Sequence, residues 1–248
     1  MNCIKKLGLF VTFLLMVASG INYGMEDQRG VTLFDAAHNN DCLMITQLLN
    51  DGVDINTVDF NGNTALMEAA FAGSVDAVEC LIDSPHQIKI NQQNNDGTTA
   101  LMYAVDANNC PIITLLLDKG AEINLTNFDT ETSALLLAAK RGRADAVQCL
   151  LNDPNVAINQ QDYLGNTALA WAIHYRNKVI VKQLLDAGAD PELANKGGIA
   201  PRNVMNVTHV EGYYPQGYQQ GDAEILSLIH KAIMRKHGVV NPFIERQQ

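Results

Sequence analysis

One phrase recurs along the chain at a nearly constant interval. A threonine or serine is followed by alanine, an anchor leucine and further small or apolar residues, as in Thr64-Ala65-Leu66. The first copy is weaker and lacks the alanine. The five anchors are spaced by 33, 35, 34 and 34 residues, and they are Leu33, Leu66, Leu101, Leu135 and Leu169. A period of this size is the signature of stacked helix–turn–helix repeats, so the sequence predicts an all-α solenoid.

Each copy also contains a second apolar stripe. Five segments place apolar residues at i, i+3 and i+4, which is one face of a helix. These segments are 45–49, 78–82, 113–117, 147–151 and 181–185. Three copies then turn at Gly52, Gly120 or Gly188, because glycine can adopt the left-handed conformation that ends a helix. The other two copies turn at proline. We therefore expect two antiparallel helices in each copy.

These phrases resemble the ankyrin-repeat family. The resemblance is carried by "DFNGNTALMEAAFAG" (59–73), "NNDGTTALMYAVDANN" (94–109) and "DYLGNTALAWAIHYRN" (162–177), each followed by an apolar stripe. Four copies have alanine in place of the usual proline of the Thr-Pro-Leu phrase, which leaves the fold assignment intact. The resemblance covers about residues 29–237. It implies an ankyrin-repeat solenoid of stacked helix-turn-helix units joined by β-hairpin-like loops.

Several repeated residues are interpreted as framework. Glycine at each hairpin tip permits a tight turn, and Thr64, Thr99 and Thr167 stand where a hydroxyl can cap the first helix. The alanines that follow the anchors allow neighbouring helices to approach closely. None of these positions is expected to recognise a ligand.

The chain is predicted to contain five full copies and a degenerate sixth. The ankyrin-repeat domain spans residues 25–237, and its repeats lie near 29–58, 59–93, 94–126, 127–161 and 162–194. A C-terminal cap spans 195–237, where Arg202 replaces the anchor leucine and an inserted loop, 206–221, separates the helices. Terminal repeats are atypical because one of their faces meets water. Residues 238–248 are expected to form a flexible tail.

The N-terminus has the pattern of a secretory signal peptide at residues 1–20. Lys5 and Lys6 precede an apolar run from Leu7 to Ala18, and small residues follow. We expect cleavage at about residues 20–24 and export to the periplasm or the exterior. The apolar run of about 12 residues is short for the ~20 that cross a bilayer. An uncleaved N-terminal membrane anchor is the alternative.

Charge and motif content exclude several functions. The chain has 17 Lys+Arg against 27 Asp+Glu, which disfavours nucleic acid and anionic membrane surfaces as partners. No nucleophile elbow, phosphate-binding glycine loop or paired metal-ligand spacing is present. We therefore predict no enzymatic activity, no cofactor, no metal and no membrane association after signal cleavage. A monomer is expected.

The cysteines are predicted to be structural. Cys80 and Cys149 share one repeat slot, and Cys42 and Cys110 share another. Members of each slot lie two repeats apart, about 16–20 Å, whereas a disulfide needs Cα atoms within roughly 7 Å. Same-slot bridges are thus excluded in a regular stack. Bridges between slots, such as Cys42–Cys80, are less clearly excluded but not expected. Cys80 and Cys149 are interpreted as small buried side chains, with oxidation during export as the rival.

The candidate partner-binding residues follow from the resemblance, which implies that ligands meet the concave face. That face consists of hairpin tips and the exposed side of the first helices, where residues two and five after each anchor point the same way. The next position, six after the anchor, adds Arg141 and Tyr175. The helix positions are Glu68, Phe71, Tyr103, Asp106, Lys140, Arg141, Trp171, His174 and Tyr175. The tip positions are Phe60, Asn61, Asn63, Asn95, Asp96, Phe128, Asp129 and Tyr163.

These positions predict a non-catalytic, exported protein–protein interaction module with the Trp171–Tyr175 region at its centre. Aromatic residues are typical anchors of protein interfaces. Acidic residues lie in the early copies and basic ones in the later copies, which suggests a partner with the opposite order of charge. Alternatively, Phe71 and Trp171 pack against the next repeat. The other functions considered are an envelope-maintenance or chaperone-like protein and an enzyme that uses the 206–221 loop.

Overall fold

Eleven α-helices and one 3-10 helix form the part of the chain that the computed structural model describes, residues 32–206 and 222–238. The α-helices are α1 (Leu33–His38), α2 (Cys42–Asn50), α3 (Ala65–Ala72), α4 (Val75–Ile82), α5 (Ala100–Asp106), α6 (Cys110–Asp118), α7 (Ala134–Arg141), α8 (Ala144–Leu151), α9 (Ala168–His174), α10 (Lys178–Asp186) and α11 (Asp222–Lys236). The 3-10 helix is Pro201–Asn206. The predicted signal peptide, almost all of the inserted loop and the tail beyond residue 238 lie outside the described residues.

The predicted all-α solenoid is confirmed. Helices α1, α3, α5, α7 and α9 contact one another in sequence as an inner layer, and α2, α4, α6, α8 and α10 form an outer layer. The described residues contain no extended strand, only isolated antiparallel bridges in the connecting loops, such as Val58–Thr64. None of the helices in the described ranges is long and apolar enough to cross a membrane.

Threonine caps set where the inner helices begin. The hydroxyls of Thr64, Thr99 and Thr167 accept hydrogen bonds of 3.2–3.3 Å from the backbone N–H three residues on. These bonds satisfy donors that a helix N-terminus leaves unpaired, so the three predicted caps are confirmed. Thr32 caps α1 in the same way.

The core lies between the two layers and between neighbouring repeats. The anchor leucines are at most 3% exposed, and alanines such as Ala69 and Ala138 are fully buried. From the outer helices, Val78, Ile113 and Val147 enter the same core. Small inner-layer residues let adjacent repeats approach closely, so each repeat completes the core of the next.

Backbone hydrogen bonds join successive hairpin tips. The N–H of Asn95 donates to the carbonyl of Asn61 at 2.9 Å, and the N–H of Phe128 donates to the carbonyl of Asp96 at 2.9 Å. The approach is close enough that a Cβ on Gly97 would lie 2.6 Å from the Phe128 nitrogen. Gly97 also has φ +80°, so this tip requires glycine for both space and conformation.

A side-chain turn supports most of these tips. The Oδ1 atoms of Asp59, Asn94, Asp162 and Asn195 each accept two backbone N–H groups, two and four residues on, at 2.8–3.0 Å. Asp and Asn favour such turns because their short side chains reach the local backbone. The sequence interpretation did not recognise this repeated position as framework.

Two disulfides correct the cysteine prediction. Cys42 bonds to Cys80 and Cys110 to Cys149, with Cα–Cα distances of 5.9 and 6.0 Å. The same-slot argument holds, but the expectation against bridges between slots was wrong. Cys42 begins α2, whereas Cys80 lies in the second turn of α4. The offset of neighbouring outer helices brings these positions together, and counting repeat slots along the chain does not reveal it.

Helix α11 closes the C-terminal end through one apolar face and several charges. Ile225 and Ile229 are buried against the core. Its first residue, Asp222, is buried and accepts a hydrogen bond from the Nε of Arg176 at 3.0 Å. Near its C-terminus, Lys236 pairs with Asp190 at 2.7 Å. This cap covers the apolar surface that α10 would otherwise expose.

Removing a disulfide should destabilise the fold. Each closes a loop of nearly 40 residues, and the loss of loop entropy from the unfolded chain predicts ~3–4 kcal/mol per bridge. We expect the Cys42→Ser/Cys80→Ser variant to lower the free energy of unfolding by this amount in guanidinium denaturation. Reducing the unsubstituted protein should lower it further, since both bridges are lost. Equal stability of the variant and the oxidised parent would contradict the assignment.

Candidate functional site

Five aromatic side chains stand exposed on one side of the molecule. We call the exposed side of α3, α5, α7 and α9, together with the hairpin tips, the inner-helix face. Its exposed aromatic members are Phe60 (75% exposed), Phe71 (54%), Phe128 (60%), Tyr163 (45%) and Tyr175 (55%), whereas Tyr103 and Trp171 are half-buried. All five belong to the predicted partner-binding set. Two of them, Phe71 and Tyr175, also contact the rings of neighbouring aromatic residues.

The Trp171 cluster consists of Lys140, Trp171, His174 and Tyr175. The Trp171 and Tyr175 rings are nearly parallel, with centroids 5.9 Å apart and an interplanar angle of 19°. His174 meets Trp171 edge-on at 5.5 Å, and the Lys140 Nζ lies 4.6 Å from the Trp171 ring centroid. A cation at that distance is attracted to the indole face. The sequence prediction placed these residues on one face, and the structure brings all four into contact.

Asp162 fixes the orientation of this cluster. Its side chain is fully buried, and its Oδ2 accepts a hydrogen bond from the Trp171 Nε1 at 2.8 Å. The same oxygen pairs with the Lys140 Nζ at 3.2 Å, and Lys140 also donates to the Thr132 Oγ1 at 3.0 Å. The Trp171 ring is therefore fixed by a buried hydrogen bond, while Tyr175 is exposed to solvent. Asp162 was not among the predicted site residues, although its repeated position in the tip turns was a usable signal.

A second aromatic contact lies two repeats earlier. Phe71 meets Tyr103 edge-on, with ring centroids 5.9 Å apart. The Tyr103 hydroxyl donates to the Asn63 Oδ1 at 3.1 Å and accepts from the Asn94 Nδ2 at 3.2 Å. Burial raises the pKa of Tyr103, and the nearby carboxylates, Asp96 foremost, raise it further. Tyr103 is thus a neutral, hydrogen-bonded support beside the exposed Phe71.

Most ionisable helix side chains on this face have a hydrogen-bond or ion-pair partner within the protein. His38 Nδ1 lies 2.7 Å from the Glu68 Oε1, and Arg141 Nε lies 3.3 Å from the Asp106 Oδ1. Each pair joins neighbouring repeats. The charges that the sequence places along the face therefore act first as links between repeats. Asp96 and Asp129 lie at the hairpin tips, where both are exposed.

The predicted tip asparagines have framework contacts as well. Asn63 supports Tyr103, and Asn95 donates from its Nδ2 to the carbonyl of Phe60 at 3.1 Å. The Asn61 carbonyl accepts a hydrogen bond from the N–H of Asn95, while the Asn61 side chain is exposed.

Within residues 32–206 and 222–238, no group of three or more His, Cys, Asp or Glu side chains could hold a metal ion.

Comparison with known families and curated proteins gives partial matches. A sequence model described as "Ankyrin repeats (3 copies)" matches residues 33–127 and 126–195. An L-asparaginase of Dirofilaria immitis is 38% identical over 166 residues, 67% of this chain but 28% of that protein. An oxysterol-binding protein-related protein 1 of Rattus norvegicus is 33% identical over 97 residues, 39% of this chain and 9% of that protein. The chain therefore spans under a third of the length of these relatives.

Solved structures match over most of the chain. An ankyrin repeat domain from Acinetobacter baumannii AYE has a TM-score of 0.68 and 32% identity, covering 81% of this chain and 96% of that one. The ankyrin repeat domain of Bcl-3 has a TM-score of 0.70 at 24% identity, covering 87% and 89%. The human ASB11 ankyrin repeat domain has a TM-score of 0.63 at 25% identity, covering 81% and 82%.

Loss of the Asp162 carboxylate should cost more than loss of the equivalent Asp59. Both accept two backbone N–H groups, but only Asp162 also holds Trp171 and Lys140. We expect Asp162→Ala to lower the free energy of unfolding by about 3 kcal/mol and Asp59→Ala by about 1–2 kcal/mol. Chemical denaturation measures both. Equal losses would show that the cluster contacts add nothing to the turn.

His174 should be neutral at pH 7. Burial and then the charge of Arg176 lower the pKa of His174 below its ordinary 6.5. In the unfolded chain His174 becomes protonated at a higher pH than it does in the folded protein. The contribution of neutral His174 to the free energy of unfolding is therefore complete above pH 6.5. It is lost as the pH falls towards the folded-state pKa. An NMR titration should show a pKa below 6.5, and His174→Gln should weaken the acid dependence of stability. A pKa above 6.5 would refute this.

Proposed function

Because the chain belongs to the ankyrin-repeat family, we propose that it is a non-catalytic protein–protein interaction module whose partner binds the inner-helix face. Ankyrin repeat domains are generally protein-interaction modules, and their fold is generally non-enzymatic. The proposal for this chain is more specific. It assigns recognition to the exposed aromatic residues of the inner helices and hairpin tips, with the Trp171 cluster at the centre.

The observation that carries this proposal is a set of exposed aromatic side chains that pack on partly buried rings. Folding normally buries large apolar side chains, yet Phe71 and Tyr175 remain more than half exposed while resting on partly buried rings. An aromatic side chain brings 150–250 Å² of contact area, and interface hot spots are enriched in Trp, Tyr and Arg. The hydrogen bond from Trp171 to Asp162 orients its ring before any partner arrives, which reduces the entropy lost on binding.

We further propose that the protein acts after export, as a monomer and without a cofactor or membrane attachment. The predicted signal peptide and the two disulfides agree on an oxidising compartment, since disulfides persist in secreted and periplasmic proteins and are rare in the cytosol. Retention of an uncleaved N-terminal anchor is the alternative. The L-asparaginase match covers 28% of that protein, which is too little to assign its activity to this chain.

Substitutions on the two faces test the proposal. A photo-crosslinking residue at position 175 would identify the partner in native extract, with position 179 on the outer helix α10 as the matched control. Binding of the purified partner is then measured by calorimetry. We expect Tyr175→Ala and Phe71→Ala each to weaken binding by about tenfold or more, as for residues at the centre of an interface.

The controls use exposed apolar residues of the outer helices. Leu43 and Val179 are 81% and 57% exposed, so their alanine variants remove similar apolar surface outside the proposed site. We expect both controls to bind like the parent. Unchanged affinity of Tyr175→Ala and Phe71→Ala, or equal losses in the controls, would place recognition elsewhere.

A further inference from the structure

A second, longer period runs through the chain. The anchors of the first, third and fifth repeats, Leu33, Leu101 and Leu169, are each 68 residues apart. The same interval separates Cys42 from Cys110. It also separates the helix-ending glycines of these repeats, whereas the second and fourth repeats turn at proline. The chain therefore alternates between two kinds of repeat.

The first two repeats are tied together where α2 meets α4. Asn40 has a φ of 59°, in the left-handed region, and its Oδ1 accepts the N–H of Ala77 at 2.8 Å. Its Nδ2 donates to the Asp76 Oδ2 at 2.8 Å. Asn40 thus caps the helix of the following repeat, whose own N-cap Ser74 makes no side-chain cap bond. The Cys42–Cys80 disulfide joins the same two helices.

The same arrangement occurs between the third and fourth repeats, where α6 meets α8. Asn108 has a φ of 55°, accepts the N–H of Ala146 at 3.0 Å and donates to the Asp145 Oδ2 at 3.0 Å. The N-cap of α8 also makes no side-chain cap bond of its own. The second disulfide, Cys110–Cys149, lies at this contact. Two independent kinds of link therefore occur at the same two interfaces.

The interfaces between these pairs lack both links. Gly73 and Gly142 occupy the left-handed position, so no side chain reaches the next repeat from there. Helices α6 and α10 are capped by their own Asn109 and Asn177, and no disulfide crosses to them from the preceding outer helix. Polar contacts do join the outer helices across the joints, from the Lys119 Nζ to the Asp83 Oδ1 at 2.6 Å and from the Gln183 Nε2 to the carbonyl of Ala144 at 3.1 Å. The disulfide and the cross-repeat cap are what distinguish the two types of interface.

We infer that the stack consists of rigid two-repeat blocks, repeats 1–2 and repeats 3–4, each locked by its own disulfide and cross-repeat cap. The joints, between repeats 2 and 3 and between repeats 4 and 5, are where the oxidised protein opens first. The lock is redox-sensitive. A dithiol reductant supplies two electrons and two protons to each S–S bond and becomes a disulfide, leaving two protein thiols, after which the block interiors open more readily.

The joints coincide with the aromatic contacts of the inner-helix face. Phe71 and Tyr103 meet across the first joint, and Lys140 meets Trp171 and Asp162 across the second. A partner held by these aromatics would therefore fix the angle between blocks. This consequence rests on the proposed function, whereas the block architecture does not depend on it.

Hydrogen exchange followed by mass spectrometry on the full chain tests the inference. In the Cys42→Ser/Cys80→Ser variant we expect exchange in α2 and α4 to accelerate about tenfold or more, while α6, α8 and α10 change little. Cys110→Ser/Cys149→Ser should give the reciprocal pattern in α6 and α8. Asn40→Gly, which keeps the left-handed backbone and removes only the cap, should accelerate α4 less than the cysteine variant does.

Two outcomes would overturn the inference. Equal acceleration in all outer helices would show that the stack opens as one unit, and unchanged exchange in α2 and α4 would show that the disulfide does not lock the block. If a cysteine variant fails to fold, dithiothreitol reduction of the unsubstituted chain tests both locks at once: exchange in α2, α4, α6 and α8 should accelerate while α10, the internal control, changes little. Failure of the proposed function would instead leave this exchange pattern intact while Phe71→Ala and Tyr175→Ala bind normally.

Discussion

The burial of each repeat against its neighbour is the interaction on which the rest of the structure depends. A unit of two short helices cannot cover its own apolar surface, and the anchor leucines become buried only when units stack. This requirement uses the outer helices and the buried side of the inner helices. It leaves side chains on the opposite side of the inner helices, and at the tips side chains such as Phe60 and Phe128, outside the core. Large aromatic side chains can therefore remain exposed there without disturbing the core.

Polar contacts give this apolar stack its register. The Asp and Asn side-chain turns stabilise the hairpin tips, and backbone hydrogen bonds link one tip to the next. Ion pairs such as Arg141–Asp106 join neighbouring repeats. Exposed ion pairs contribute little free energy, but here they align side chains on successive helices. The tips and the inner helices are thereby positioned as one continuous surface. A chain whose loops were held less firmly would present the same residues without a fixed spacing.

The strength of the repeat interfaces is uneven. Covalent bonds and cross-repeat caps occur on the outer side of alternate interfaces, whereas aromatic contacts and Lys140 bridge the remaining ones on the inner side. In a linear array each repeat contacts only its neighbours, so local differences in interface strength decide where the array opens. This division separates the parts that maintain the fold from the parts that can respond to a partner.

The sequence by itself determined the period, the helix type, the threonine caps and the buried anchors. These features depend on residues within a few positions of one another, and a repeated signal makes them readable. It also placed Phe71 and Tyr175 on the exposed side of the inner helices, because positions on one helix face follow from helix geometry. The exposed aromatics at the tips came from the family resemblance instead. Loop 206–221 was predicted from composition, and most of it lies outside the described residues.

Only the tertiary structure decided which distant side chains meet. The disulfides join residues 38 and 39 positions apart through an offset between neighbouring helices that repeat counting does not contain. Asp162 lies nine residues from Trp171, yet its role depends on Lys140 arriving from the preceding repeat. Likewise, Glu68 and Asp106 looked like free charges until His38 and Arg141 were placed beside them. Local periodicity fixes the elements, but the relative displacement of packed helices fixes these contacts.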